Sequence, residues 1–150
     1  MQFNVILKYI ATLGFIGYIP FAPGTFGSFF AFVVYVLLKP SFLVHILILV
    51  VTIPIGILSS HHAERILNAK DSRHIVIDEF CGYFFSVLFI PFSLTYALTA
   101  FFLFRVFDIL KPFPIRKIET ALHGGKGIMA DDLVAAIYTN VILQVLKIIY

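Results

Sequence analysis

FLVHILILVVTIPIGIL, residues Phe42–Leu58, runs for 17 residues without a charge. It lacks the period-two alternation of a half-buried strand, and an open sheet cannot sit in lipid. Its length predicts a helix that is apolar all round and suited to a bilayer. The polar stretch His61–Leu67 keeps helical spacing, so the helix is predicted to continue beyond the membrane. Further apolar runs flank it: Phe3–Ile19, interrupted by Lys8, then Phe26–Leu38, Ile75–Ile90, Leu94–Phe107 and Ile128–Tyr150. Lys39-Pro40-Ser41 and Pro91-Phe92-Ser93 separate neighbours. The prediction is an all-α, polytopic helical membrane protein, roughly five to six apolar helices in one bundle, with residues 1–150 as a single domain. The count depends on whether Phe3–Ile19 crosses or lies at the interface. A run of 16 residues reaches only about 24 Å at the helical rise, so the short helices thin the bilayer or extend into the polar motifs beside them.

Composition agrees. The chain is 61% hydrophobic and 13% charged, with a mean hydropathy of +1.02. Soluble domains carry about 25% charged residues, and a soluble chain this apolar would have too little polar surface to cover itself. The rival is a small soluble helical protein that hides its surface by oligomerising. A net charge of +3 suits anionic headgroups, and no basic arm points to nucleic acid. The lone Cys81 excludes a disulfide framework and a multi-cysteine zinc site. The N-terminal run has no small-residue cleavage site before a soluble body, so no removable leader is predicted.

Charges gather in alternate connections. Glu64, Arg65, Lys70, Asp71 and Arg73 precede the fourth run, and Arg105 through Lys126 lie between the fifth and the last. Lys39 and Lys147 are the bases on the other side. If consecutive runs cross the membrane, the charged connections share a face, which the positive-inside rule makes cytoplasmic.

Five carboxylates stand at helix ends on that face: Asp78 and Glu79 in IVIDEFCGY, Asp108 in FRVFDILKP, Asp131 and Asp132 in GIMADDLVAAIY. A favourable helix dipole would account for the two pairs but not for Asp108, which is near a C-terminal end. Acids set beside a bilayer are costly unless cations or partners compensate them. Clustered carboxylates suit a hard cation such as Mg2+, which leaves room for water and phosphate oxygens. Arg105 and Asp108, three apart, share a helical face, and Arg105 and Lys111 are candidates to hold a phosphate. Arg116 and Lys117 read as ordinary cytoplasmic fringe. Two glycine loops precede helices, PFAPGTFGS at 20–28 and HGGKG at 123–127. Their backbone N–H groups are suited to phosphate oxygens, which makes Thr25, Ser28, Gly124, Gly125 and Lys126 candidate substrate-binding residues. His45 reads as a hydrogen-bonded packing residue, His61 and His62 as interfacial, and His74 and His123 as minor candidates for phosphate or water contacts. Cys81 has no arginine six residues on, and no D-x-D or paired-histidine phosphatase signature occurs.

PFAPGTFGS, IVIDEFCGY, FRVFDILKPFPI and HGGKGIMADDLVAAIY, in this order and spacing, resemble the phosphatidylglycerophosphatase A family over residues 14–140. The resemblance implies a Mg2+-dependent phosphoric monoester hydrolase of a bacterial inner membrane. It would remove the terminal phosphate of phosphatidylglycerophosphate to give phosphatidylglycerol, in phospholipid biosynthesis. Asp78, Glu79, Asp131 and Asp132 would hold metal, Asp108 would be a further ligand or general base, and Arg105 and Lys111 would bind phosphate. Phe113 stands where the family has tryptophan, Ala136 where it has glycine, and Tyr18-Ile19 where a glycine-rich run is usual. Phe113 should still anchor at the interface, and Ala136 predicts a looser helix contact. The competing class is an ion-coupled transporter or channel subunit using the same acids, which would need them at mid-membrane depth.

Overall fold

Helix boundaries fall where the sequence punctuates the chain. The computed structural model describes residues 2–70 and 72–149, the side chains of Gln2 and Glu119 excepted. The charge at Asp71, the terminal Tyr150 and the Glu119 side chain lie outside the described residues. The elements are α1 (Gln2–Ala11), a 3-10 turn (Ile16–Tyr18), α2 (Pro23–Leu38), α3 (Phe42–Leu67), α4 (Ile77–Ser86), α5 (Leu94–Leu110), α6 (Ile115–Ala121) and α7 (Gly125–Ile149). No strand occurs among the described residues, as the all-α reading requires. Pro23 opens α2, where its missing N–H costs nothing. α2, α3 and α5 each end on a left-handed residue, Lys39, Asn68 and Lys111, whose N–H returns to the carbonyl four residues back.

Three boundaries differ from the sequence expectation. Phe3–Ile19 is not one helix: α1 stops at Ala11, and left-handed Leu13 and Gly14 turn the chain. The fourth run is helical only over Ile77–Ser86. The charged connection after α5 contains a further helix, α6. By length and composition two helices, α3 and α7, can cross a membrane, and α2 is apolar but shorter. Seven α-helices occur among the described residues, and only two of them are long and apolar enough to cross a membrane, so the expected count of five to six apolar membrane helices is not confirmed. α3 continues through His61–Leu67 as predicted.

The exterior is inverted relative to a soluble protein. Leu43, Leu47 and Val50 on α3, Phe102, Val106 and Ile109 on α5, and Val141, Val145 and Ile148 on α7 are all exposed. Each trio has the i, i+4, i+7 spacing of one helical face, here turned outward. Contiguous apolar surface of this extent suits a lipid solvent.

α4 is the central helix, packed by α7, α2, α3 and α5. Tyr83 and Phe84 are fully buried, and Tyr83 Oη donates to Ala97 O at 3.1 Å. Small residues let the backbones approach, as helices in lipid require. Ala97, Ala100, Ala135 and Ala136 are fully buried. A side chain at Gly82 would overlap the Phe104 ring. Ala136 is accommodated within this packing.

A short central helix leaves carbonyls unsatisfied in an apolar interior, where each orphan is costly. Side chains from its neighbours take them. His45 Nε2–H donates to Phe84 O at 2.8 Å. Asn140 Nδ2 donates to Ser86 O at 2.9 Å and to Leu88 O at 2.7 Å, and Lys147 Nζ reaches Phe89 O at 3.2 Å. Asn140, Gln144 and Lys147 form a polar stripe on α7 that caps the end of α4. This cap satisfies the carbonyls left open where α4 stops at Ser86.

The helix ends sort into two sets. The α2 start, the α4 start, the α5 end and the start of α7 line one cleft. The end of α2, the start of α3, the α4–α5 connection and the end of α7 line another.

Candidate active site

All five predicted carboxylates meet in the first of these clefts, with Arg105 and Lys111, in a volume of about 420 Å³. Asp78 and Glu79 lie in the first turn of α4. Asp131 and Asp132 lie in the second turn of α7, and Asp108 and Arg105 near the end of α5. Asp78, Asp131 and Asp132 are 8%, 6% and 3% exposed, so these charges are withdrawn from solvent and need compensation.

Cations supply part of it. Arg105 Nη1 donates to Asp108 Oδ2 at 2.5 Å and lies 3.9 Å from Glu79 Oε1. Lys111 Nζ donates to Asp131 Oδ2 at 2.8 Å. The rest is uncompensated. One oxygen each of Asp78, Glu79 and Asp132 can lie within 4.8 Å of the others. Asp78 Oδ1, Glu79 Oε2 and Asp132 Oδ2 are buried without a hydrogen-bond partner among the described residues. Three converging hard oxygen donors with spare lone pairs fit a divalent cation of the magnesium type. Asp131 stands outside this triad and faces Lys111.

The first glycine loop enters the site in an unforeseen way. A side chain at Gly24 would overlap Glu79 Oε1 and come within 3.3 Å of Arg105 Nη2. Gly24 is thus the residue that lets α2 begin against the acids. Ser28 is fully buried; its Oγ donates to Gly24 O at 2.9 Å and accepts from Arg105 Nη1 at 3.4 Å. Ser28 therefore positions Arg105, and neither it nor Thr25 lines the cleft. The second loop lies elsewhere. Gly124, with φ +67°, packs on His61, and a side chain at Gly125 would overlap Ile57 O. Gly125 and Lys126 line a separate pocket with His61 and His123, and Gly124 lines one shared with Asp131. Close approach to α3 requires glycine at both positions. His74 Nδ1 bonds Gly17 O at 2.7 Å and its ring stacks on Tyr18, which ties the α3–α4 connection to the N-terminal segment. Sequence reasoning missed Ser72 and Arg73 on the cleft wall. Their position six and five residues before Asp78 was the available signal.

Fold and site together define a helical protein suited to a membrane, with a buried acidic and basic cleft at one end of its helices. The chain belongs to the phosphatidylglycerophosphatase A family, whose profile matches residues 9–147. It is 49% identical over 78 residues to the phosphatidylglycerophosphatase A of Haemophilus influenzae, covering 51% of this chain and 48% of that protein. It is 35% identical over 98 residues to that of Escherichia coli, covering 65% and 57%. A Bacteroides thetaiotaomicron protein, provisionally named a phosphatidylinositol-3-phosphatase, is 37% identical over 81 residues, covering 52% and 50%. The chain spans about half the length of the curated relatives it matches. No solved structure matches it. The transporter reading finds no support, since the acids stand at one end of the helices and the family is named for a phosphatase.

Proposed function

We propose that this chain hydrolyses the terminal phosphate monoester of phosphatidylglycerophosphate, giving phosphatidylglycerol and phosphate. Residues 1–150 act as one multi-pass domain of a bacterial inner membrane, with the cleft facing the cytoplasm. The observation that carries the reading is the buried Asp78, Glu79 and Asp132 triad with unpartnered oxygens beside Arg105 and Lys111. Asp78, Glu79 and Asp132 would hold Mg2+, which when bound supplies positive charge to polarise the phosphoryl group.

The chain's own groups do the remainder. Arg105 and Lys111 draw in the phosphate oxygens and offset charge that spreads over them as the ester bond breaks. Asp131 orients Lys111 through its Oδ2, which leaves its Oδ1 for the metal-ligand role expected from sequence. Asp108, held by Arg105, takes the proton from the attacking water. The water oxygen forms the new bond to phosphorus, the P–O ester bond breaks in line, and the leaving alkoxide takes up the proton that Asp108 accepted, relayed through water. The diacylglycerol stays in the bilayer against the apolar exterior.

The test is phosphate release from phosphatidylglycerophosphate in detergent micelles, with and without Mg2+, against phosphatidic acid. Release that needs Mg2+ and prefers phosphatidylglycerophosphate is expected. No release from folded protein overturns the reading.

A further inference from the structure

Beyond the acidic cleft, Lys111 belongs to a second one. This cleft, about 530 Å³, is lined by Leu110, Lys111, Phe113, Arg116, Lys117 and Thr120. Among the described residues that line it, Lys111, Arg116 and Lys117 are cations and none is an acid. Neither Arg116 nor Lys117 forms an ion pair among the described residues. Lys111 is the wall between the two clefts, its ammonium turned to Asp131. The left-handed Lys111 ends α5 and swings the chain so that α6 presents its bases on the far side. Leu110 and Phe113, 65% and 79% exposed, give the cationic cleft an apolar rim.

Two adjoining clefts of unlike chemistry fit a ligand with two unlike phosphates. The acidic cleft suits a phosphomonoester together with a divalent cation. The cationic cleft suits a singly charged phosphodiester, which needs cations and no metal. The apolar rim suits the acyl-glycerol beyond the diester. We propose that Arg116 and Lys117 bind the phosphodiester of the lipid substrate and so set its selectivity over a lipid bearing only a monoester. The inference rests on the acidic cleft being the phosphomonoesterase site. It replaces the sequence reading of these two bases as a cytoplasmic fringe.

The substrates separate the alternatives. Phosphatidylglycerophosphate carries both phosphates, whereas phosphatidic acid has its monoester directly on the diacylglycerol and no diester. The experiment measures kcat/KM for each lipid in neutral detergent micelles, for wild type and for the Arg116→Gln/Lys117→Gln double variant. Both side chains are exposed, so folding should be unaffected. The double variant should lose about tenfold on phosphatidylglycerophosphate, chiefly through KM, and nothing on phosphatidic acid. The charge-keeping Arg116→Lys/Lys117→Arg variant should recover most of the loss. An equal loss on both lipids, or no loss on either, overturns the proposal. So does a loss seen only in vesicles containing added anionic lipid, which would make the pair a membrane-surface contact. Wild-type protein inactive on both lipids would sink the phosphatase reading itself, and this inference with it.

Discussion

Asp132 is the least exposed of the cleft carboxylates, and one of its oxygens has no hydrogen-bond partner among the described residues. Replacing it by Asn removes one buried negative charge from a group that repels itself. Asp132→Asn should therefore cut phosphate release by about a hundredfold or more, while raising the stability of metal-free protein by about 1 kcal/mol. Thermal unfolding in detergent with a chelator present measures the second effect. A variant both inactive and less stable would make Asp132 a structural residue. Gly24 is a separate case. Gly24→Ala forces the Glu79 carboxylate to move, at small cost in stability because it is the far end of a flexible side chain. Phosphate release should fall at least tenfold even where circular dichroism is unchanged. The five acids and Arg105 were legible as candidates because charge beside apolar sequence is conspicuous. Gly24 was not, since the reason for its lack of a side chain is Glu79, 55 residues away.

At the scale of elements, α4 holds the most consequential departure from the sequence reading. The apolar run continues to Ile90, but its helix stops at Ser86, where Asn140 and His45 take the carbonyls. Asn140→Leu keeps the size and removes both bonds. It should lower unfolding stability by about 1–3 kcal/mol, with the loss read as a reduced melting temperature in detergent. Unchanged stability would mean that the α4 end is satisfied by other means. Periodicity located this segment but could not end it there, because the capping groups come from α7 and α3. The predicted continuation of α3 to Leu67 succeeded for the opposite reason: its spacing and its left-handed Asn68 are local.

For the whole molecule, the arrangement of ends makes two predictions. A cation held by Asp78, Glu79 and Asp132 binds folded protein only. Mg2+ at a hundred times its Kd should then stabilise wild type by about 2.7 kcal/mol and leave Asp132→Asn nearly unmoved. Titration of the melting temperature with Mg2+ checks this, and equal shifts in both proteins would place the cation elsewhere. The second concerns orientation. Cys81 is fully buried, so engineered thiols can be read against a silent background. Lys39→Cys should react with an impermeant thiol reagent applied outside intact spheroplasts, and Lys126→Cys only after lysis. Labelling of both from one side would refute the opposite placement of the two helix-end sets.

The sequence by itself determined what is local and what is additive. Apolar runs fix helices because every backbone group in lipid must be satisfied within its own segment. Alternation of charged and uncharged connections assigns the acids to one end, and the four motifs identify the family. Only the tertiary structure decided which acids converge. It separates Asp78, Glu79 and Asp132 as a triad from Asp131, which holds Lys111. It also set Gly125 and Lys126 in a separate pocket, put Gly124 in one that adjoins the acidic cleft at Asp131, and placed a second, cationic cleft behind Lys111. Each of these depends on distances between residues far apart in the chain. Such distances follow from how helices pack, and no local pattern encodes them.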